Sequence, residues 1–194
     1  MSTLPSLTDE LAAVNSMLNA IGETHVNTLE GANVVDVAIA RSLLAEVNRK
    51  MQVKGWHFNS EVDYPLAADI AGEVFLPANC LRVDASGFNH PTLDVVSRGN
   101  RLYDRNTHSF NIGKTIKADI VLLLPLDELP EVARQYVMVR ATRLFGNRML
   151  GDVTLDGFTA ADEVDALVTL KEAEGDTADW NIFDSADTSA ALRR

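Results

Sequence analysis

Side chains able to carry chemistry are sparse in this 194-residue chain. The four histidines, His25, His57, His90 and His108, are never three or four residues apart, the spacing that sets two metal ligands on one helix face. Only separate loops could bring them together, and each reads as a surface or turn residue. The single cysteine, Cys80, allows neither an internal disulfide nor a cysteine metal cluster, and beside Leu81 it reads as a small side chain buried in a strand. Asp127 and Glu131 are an acid pair at a spacing that could serve acid–base work. They stand where a helix should begin, a place that favours negative side chains without any catalytic role. There is no Gly-x-Ser-x-Gly elbow, no phosphate loop ending in Gly-Lys-Ser/Thr and no dinucleotide glycine fingerprint. The residues point to no catalytic group, no cofactor and no metal.

Arginine supplies a recurrent charged pattern. Arg134, Arg140, Arg143 and Arg148 recur through a single helical stretch, with Arg140 and Arg143 one turn apart. One reading is a solvated face paired with acids of the following helix; the other is contact with a partner chain. The whole chain has 17 Lys and Arg against 28 Asp and Glu, a net charge of −11. Residues 151–194 hold eleven of those acids against Lys171, Arg193 and Arg194, a net of −8, which leaves −3 for the first 150. Such a balance argues against tight capture of nucleic acid, which draws on clustered Lys and Arg, but not against a pore that DNA passes without sticking.

These groups need a folded frame, and composition allows one: 46% apolar and 23% charged residues suit a globular domain. The apolar run at residues 120–124 is far short of the ~20 residues of a membrane span. Met1-Ser2-Thr3-Leu4-Pro5 lacks the basic patch and apolar stretch of a secretory signal. Helical spacing of Leu11, Val14, Leu18 and Ile21 predicts a first helix over residues 9–21, capped by Thr8 and stopped by Gly22. A second is predicted over 33–54, with Val37, Leu44, Val47 and Met51 on one face and Gly55 as its stop. Residues 56–126 break into short apolar runs punctuated by Gly and Pro, predicting strands at 56–62, 73–76, 81–84, 93–97, 101–104 and 117–124, with a tight hairpin at Arg98-Gly99-Asn100. In the first of these, Trp56 and Phe58 alternate inward.

Pro130 suits the first turn of a third helix, 131–150, ended by Gly151. A fourth is predicted over 160–174, with Thr159 as its cap and Val164, Leu167, Val168 and Lys171 at helical spacings. Beyond Gly175 the chain reads as an extended acidic tail with Trp180, Ile182 and Phe183 as apolar anchors. The expected class is α+β: a bundle of about four helices from residues 1–55 and 127–175, an antiparallel β module inserted at 56–126, and a tail at 176–194.

Several blocks carry a family resemblance: Ala13-Val14-Asn15, Ile21-Gly22-Glu23, Thr28-Leu29-Glu30-Gly31 and Gln52-Val53-Lys54-Gly55-Trp56-His57-Phe58-Asn59, then Tyr103-Asp104-Arg105, then Leu129-Pro130-Glu131 followed by Arg143, Phe145, Asn147 and Arg148. At these residues the chain resembles the tail tubular protein A family of short-tailed bacteriophages (podoviruses). It departs at His25, where a proline is familiar, and across 64–97.

The resemblance implies a virion protein of the tail, made in the bacterial host cytoplasm, that acts as a head-to-tail adaptor or gatekeeper. It implies a homo-oligomeric ring of twelve copies beneath the portal protein, joined to the tail nozzle (tail tubular protein B) with tail fibres near the junction. Genomic DNA would pass through the channel without specific binding. A ring requires heterologous contacts, expected mostly from the helices at 9–54 and 130–174. The candidate interface residues are Arg134, Arg140, Arg143, Arg148, Trp180 and Phe183, with the tail reaching a neighbour or the portal. The alternative, a tail-associated hydrolase acting on host surface polysaccharide, would need paired carboxylates that the sequence does not place across a cleft.

Overall fold

Helix α1 (Glu10–Ala20) starts where the Asp9 carboxylate accepts the Ala12 N–H at 2.7 Å. Thr8, the expected cap, is instead drawn to Glu131, described below. The helix ends in a Schellman turn: Gly22, at φ 80°, donates to Asn19 and Glu23 donates to Leu18. In this computed structural model, residues 6–30, 35–85, 87, 89–151 and 153–177 are described, without the side-chain surroundings of 153–158. The loop after α1 is held by Asn15, whose amide exchanges two hydrogen bonds with the Val26 backbone at 2.8 and 3.0 Å. Gly31 lies outside the described residues.

Helix α2 (Val35–Gln52) buries Val37, Ala40, Leu43, Leu44, Val47 and Met51 on one face. Pro130 stands at the N-cap of α3 (Glu131–Leu150), and Gly151 caps its end with φ 66°. Helix α4 (Val153–Thr177) starts seven residues before the predicted position, so Thr159 lies inside it. Gly157 does not stop it from starting earlier, since one glycine costs a helix only about 1 kcal/mol and no proline intervenes. The inward face of α4 carries Glu163, Ala166, Leu167 and Leu170. Val164 and Val168, predicted on its packed stripe with Leu167, point outward.

The fold is α+β, as the alternation of textures predicts. Helix α3 is the central helix, packed against α1, α2 and α4. Thr159 lies near Asn147 and Leu167 near Arg140, while Glu46 meets Arg148 and Met51 lies near Tyr136, so both α4 and α2 run antiparallel to α3 and therefore in the same general direction as each other. The bundle core contains Val14, Met17, Leu18, Val47, Phe145 and Leu170. A second cluster, with Leu66, Val74, Leu102, Ile116 and Ile120, fills the β region.

Among the described residues five strands form the β region: β1 (Ser60–Leu66), β2 (Cys80–Ala85), β3 (Val95–Arg98), β4 (Arg101–Asp104) and β5 (Ile116–Leu122). The antiparallel sheet has the order β1-β5-β2, which puts β5 at its centre. Pro65 is tolerated because β1 is an edge strand. Strands β3 and β4 pair through the predicted hairpin, with Gly99 at φ 66°. Two predicted strands differ. Residues 57–59 form a 3₁₀ turn (His57–Asn59), so β1 starts only at Ser60. Residues 73–76 make isolated bridges rather than a strand, because Glu73, Val74 and Phe75 each face a different segment, at Asn111, Ala68 and Arg101, so no continuous ladder forms.

Candidate functional site

The Gln52–Asn59 block builds the join between helices and strands. Gln52 ends α2 with no solvent exposure. Its Nε2 donates to the Leu124 carbonyl at 2.8 Å and to Asn48 Oδ1 at 2.9 Å, while Leu124 N–H donates to Oε1 at 2.8 Å. Asn59 Nδ2 donates to the carbonyls of Gln52 at 3.1 Å and Leu122 at 2.8 Å, and its Oδ1 accepts the Trp56 N–H at 2.8 Å. Two buried amides thus tie the end of α2 to the chain leaving β5, and no buried side-chain polar atom among the described residues lacks a partner.

Gly55 lets the backbone turn inside this clasp at φ 76°. A Cβ there would stand 3.0 Å from Arg82 Nη2 and 3.1 Å from Val121 Cγ2. Trp56 does not alternate with Phe58 from a strand. Their rings are parallel, 6.4 Å apart, and both pack against the bundle, with Trp56 Nε1–H donating to the Met51 carbonyl at 2.9 Å.

The four arginines have different situations. Arg134 is buried, 8% exposed, and its guanidinium donates to three carbonyls: Leu129 at 2.8 Å, Thr8 at 3.1 Å, and Asp127. Beside it, the Glu131 carboxylate accepts the Thr8 N–H at 3.0 Å and the Thr8 hydroxyl at 2.7 Å. Burial pushes the Glu131 carboxyl up, but hydrogen bonds from Gln135 and Thr8, with the Arg134 charge, outweigh it and hold the group below its ordinary range. Arg140 and Arg143 clamp one carboxylate, that of Glu163, at 2.8 and 2.9 Å, and Arg140 also reaches the Tyr136 hydroxyl at 2.8 Å. Arg148 approaches Glu46 at 3.6 Å on the surface. Trp180 and Phe183 lie outside the described residues.

The remaining side chains of interest act as anchors. Asp104 accepts from the Thr107 hydroxyl at 2.7 Å and the Asn106 N–H at 2.9 Å; the Thr107 bond is the largest influence and, with the backbone donors, holds its carboxyl low against the upward push of burial. His90 Nε2 accepts the Lys117 N–H at 3.0 Å, and the His57 N–H donates to Glu174. Burial pushes the Cys80 thiol up, away from the thiolate a nucleophile needs. Among the described residues no three His, Cys, Asp or Glu side chains could share a metal ion, and no helix is long and apolar enough to cross a membrane.

Sequence reasoning found the residues of the clasp as a motif but missed what Gln52, Asn59 and Asn48 do. The visible signal is a glutamine beside the apolar stripe of α2, followed seven residues later by an asparagine.

Comparison with known proteins places this arrangement. A family model described as tail tubular protein matches residues 11–180. Among curated proteins, the chain is similar to Tail tubular protein A of Klebsiella phage KP34, with 29% identity over 164 residues, covering 84% of this chain and 86% of that protein.

Proposed function

Because the chain belongs to the tail tubular protein family, a family of structural components of the phage tail and not of enzymes, we propose that it is the ring-forming adaptor that joins the portal to the tail nozzle. The observation that carries this reading is the extent of the family match, 11–180, which takes in both the helices and the β region. In this reading the helices of 1–55 and 127–175 act as one unit that packs laterally in a ring of twelve. The β module of 56–126 meets the nozzle and the fibres. The clasp at Gln52 and Asn59 supports such a role because its satisfied buried hydrogen bonds fix the helices to the strand region.

A net charge of −11 suits a wall that repels phosphate, so the genome slides through without binding. Arg134 is committed to internal carbonyls and Arg140 and Arg143 to Glu163, which leaves Arg148, Trp180 and Phe183 as the candidates for partner contact. The protein would be made in the host cytoplasm and then enter the virion tail. Nothing favours the polysaccharide hydrolase: Glu131 is engaged by Thr8 and Gln135, and the family is structural.

The test is co-assembly. Mixed with the portal protein of the same phage, the chain should enter a complex whose negative-stain images show a ring of about twelve subunits on the portal. A protein that stays monomeric both by itself and with the portal overturns the adaptor reading. Truncation at Gly175 should weaken that complex, and unchanged binding would remove the tail from it.

A further inference from the structure

We infer that the outward face of α2 in one copy packs against the outward face of α4 in the next, with Arg49 set against Glu172 and Ile39 against Val164. The inference rests on the ring reading and names the surfaces that close it.

Both faces are stripes left largely uncovered within one copy. On α2, Val35, Ile39, Ser42, Glu46 and Arg49 follow one another at steps of four, three, four and three, a single line along the helix opposite its buried side, with Glu46 already paired to Lys50 and Arg148 and Val53 just past the helix end. Val35 is 71% exposed and Ile39 41%. On α4, Val164, Asp165, Val168 and Glu172 make the corresponding line, opposite Leu167 and Leu170, with Val164 62% and Val168 46% exposed. Val164 and Val168, at i and i+4, form a continuous apolar strip turned to solvent, which a neighbouring helix could cover.

Charge selects the occupant. Arg49 has no ion pair among the described residues, and neither do Asp165 and Glu172. The α2 stripe thus offers the unpaired cation Arg49, its Glu46 being taken by Lys50 and Arg148, and the α4 stripe offers the unpaired anions Asp165 and Glu172 beside a single cation, Lys171. Net of these pairs the α2 stripe is positive and the α4 stripe negative, so each face prefers the other to a second copy of itself. Such a contact is heterologous, the kind that generates a closed ring.

Geometry agrees. Helices α2 and α4 run in the same general direction within one chain, so around an axis along the bundle α2 of one copy and α4 of its neighbour also run in the same general direction. With Arg49 opposite Glu172, Ile39 lies about 15 Å back along its helix and Val164 about 12 Å back, within one turn of each other.

The test places single cysteines on a Cys80→Ser background, one variant carrying Ile39→Cys and the other Val164→Cys. Both are exposed sites, and unchanged thermal melting checks that each variant folds. Assembled with the cognate portal and oxidised, the mixture should give a disulfide-linked dimer at least tenfold above either variant used separately. In parallel, Arg49→Glu should weaken assembly at least tenfold, and adding Glu172→Arg to the same chain should restore it. Rings that form without the mixed cross-link, or that tolerate Arg49→Glu, overturn the pairing while leaving the ring intact. Failure of the unaltered protein to form a ring with the portal overturns the ring reading and the pairing with it.

Discussion

Gln52 and Leu124 hydrogen-bond to each other in both directions across 72 residues of chain, side-chain amide against backbone amide, each bond 2.8 Å long. This reciprocal pair closes the bundle onto the strand region and satisfies both polar ends of a glutamine that water does not reach.

Replacing Gln52→Glu keeps the shape but removes the donor and turns a carboxylate toward the Leu124 carbonyl and Asn48 Oδ1. The variant should lose about 2–4 kcal/mol at pH 7 in urea unfolding. Its carboxyl would be raised in the folded state above the unfolded value of ~4.3. The deficit should therefore grow as pH rises through that region and shrink toward pH 4, where the protonated acid regains a donor. Equal stability of variant and parent at pH 7 would remove the clasp from any structural role.

Two glycines separate backbone strain from crowding. Gly22→Ala forces φ 80° on an alanine with nothing within 4 Å of the new Cβ and should cost about 1 kcal/mol. Gly55→Ala adds contacts at 3.0–3.2 Å to a similar φ and should cost about 2–3 kcal/mol. Denaturant midpoints measured side by side check the order, and equal costs would mean that Arg82 and Val121 yield freely.

Glu131 sets an acid limit on stability. Its carboxyl is depressed in the folded protein, so its contribution is fully present above the unfolded value of ~4.3 and is lost as pH falls through the lower folded value. Glu131→Gln should destabilise by about 1.5–3 kcal/mol at pH 7, the scale of a charge-assisted hydrogen bond. Stability curves of the two proteins should converge in acid; a gap that persists unchanged at pH 3 contradicts the assignment.

Glu163 accepts from two arginines while only 13% of its own side chain is exposed. Glu163→Gln should cost about 1 kcal/mol, and the difference from the parent should narrow in 1 M salt because both arginines are partly solvated. A salt-independent difference would point to packing of the α3–α4 seam rather than charge.

Local sequence was enough for much of the bundle. The apolar periodicities of α1, α2 and α3, the stops at Gly22, Gly55 and Gly151, and the Gly99 hairpin all follow from rules that act within a few residues, and the α+β class follows from the change of texture between them. The same locality explains the errors. Thr8 and Asp9 are both acceptable caps, and the choice fell to Asp9 because Glu131, 123 residues away, captures Thr8. Val164 and Val168 share a helical spacing with Leu167, and only the position of α3 decides that Leu167 is covered and the valines are not.

The candidate site divides the same way. As a motif, Gln52–Asn59 was legible because its residue types are distinctive. Its work was not, since a glutamine's two polar atoms carry no preference for Leu124 until β5 brings that backbone within 3 Å. Periodicity and turn chemistry are one-dimensional signals, and they end where the partner lies on a distant element. Which polar groups are satisfied, and which faces remain for a neighbour, are set by packing in three dimensions.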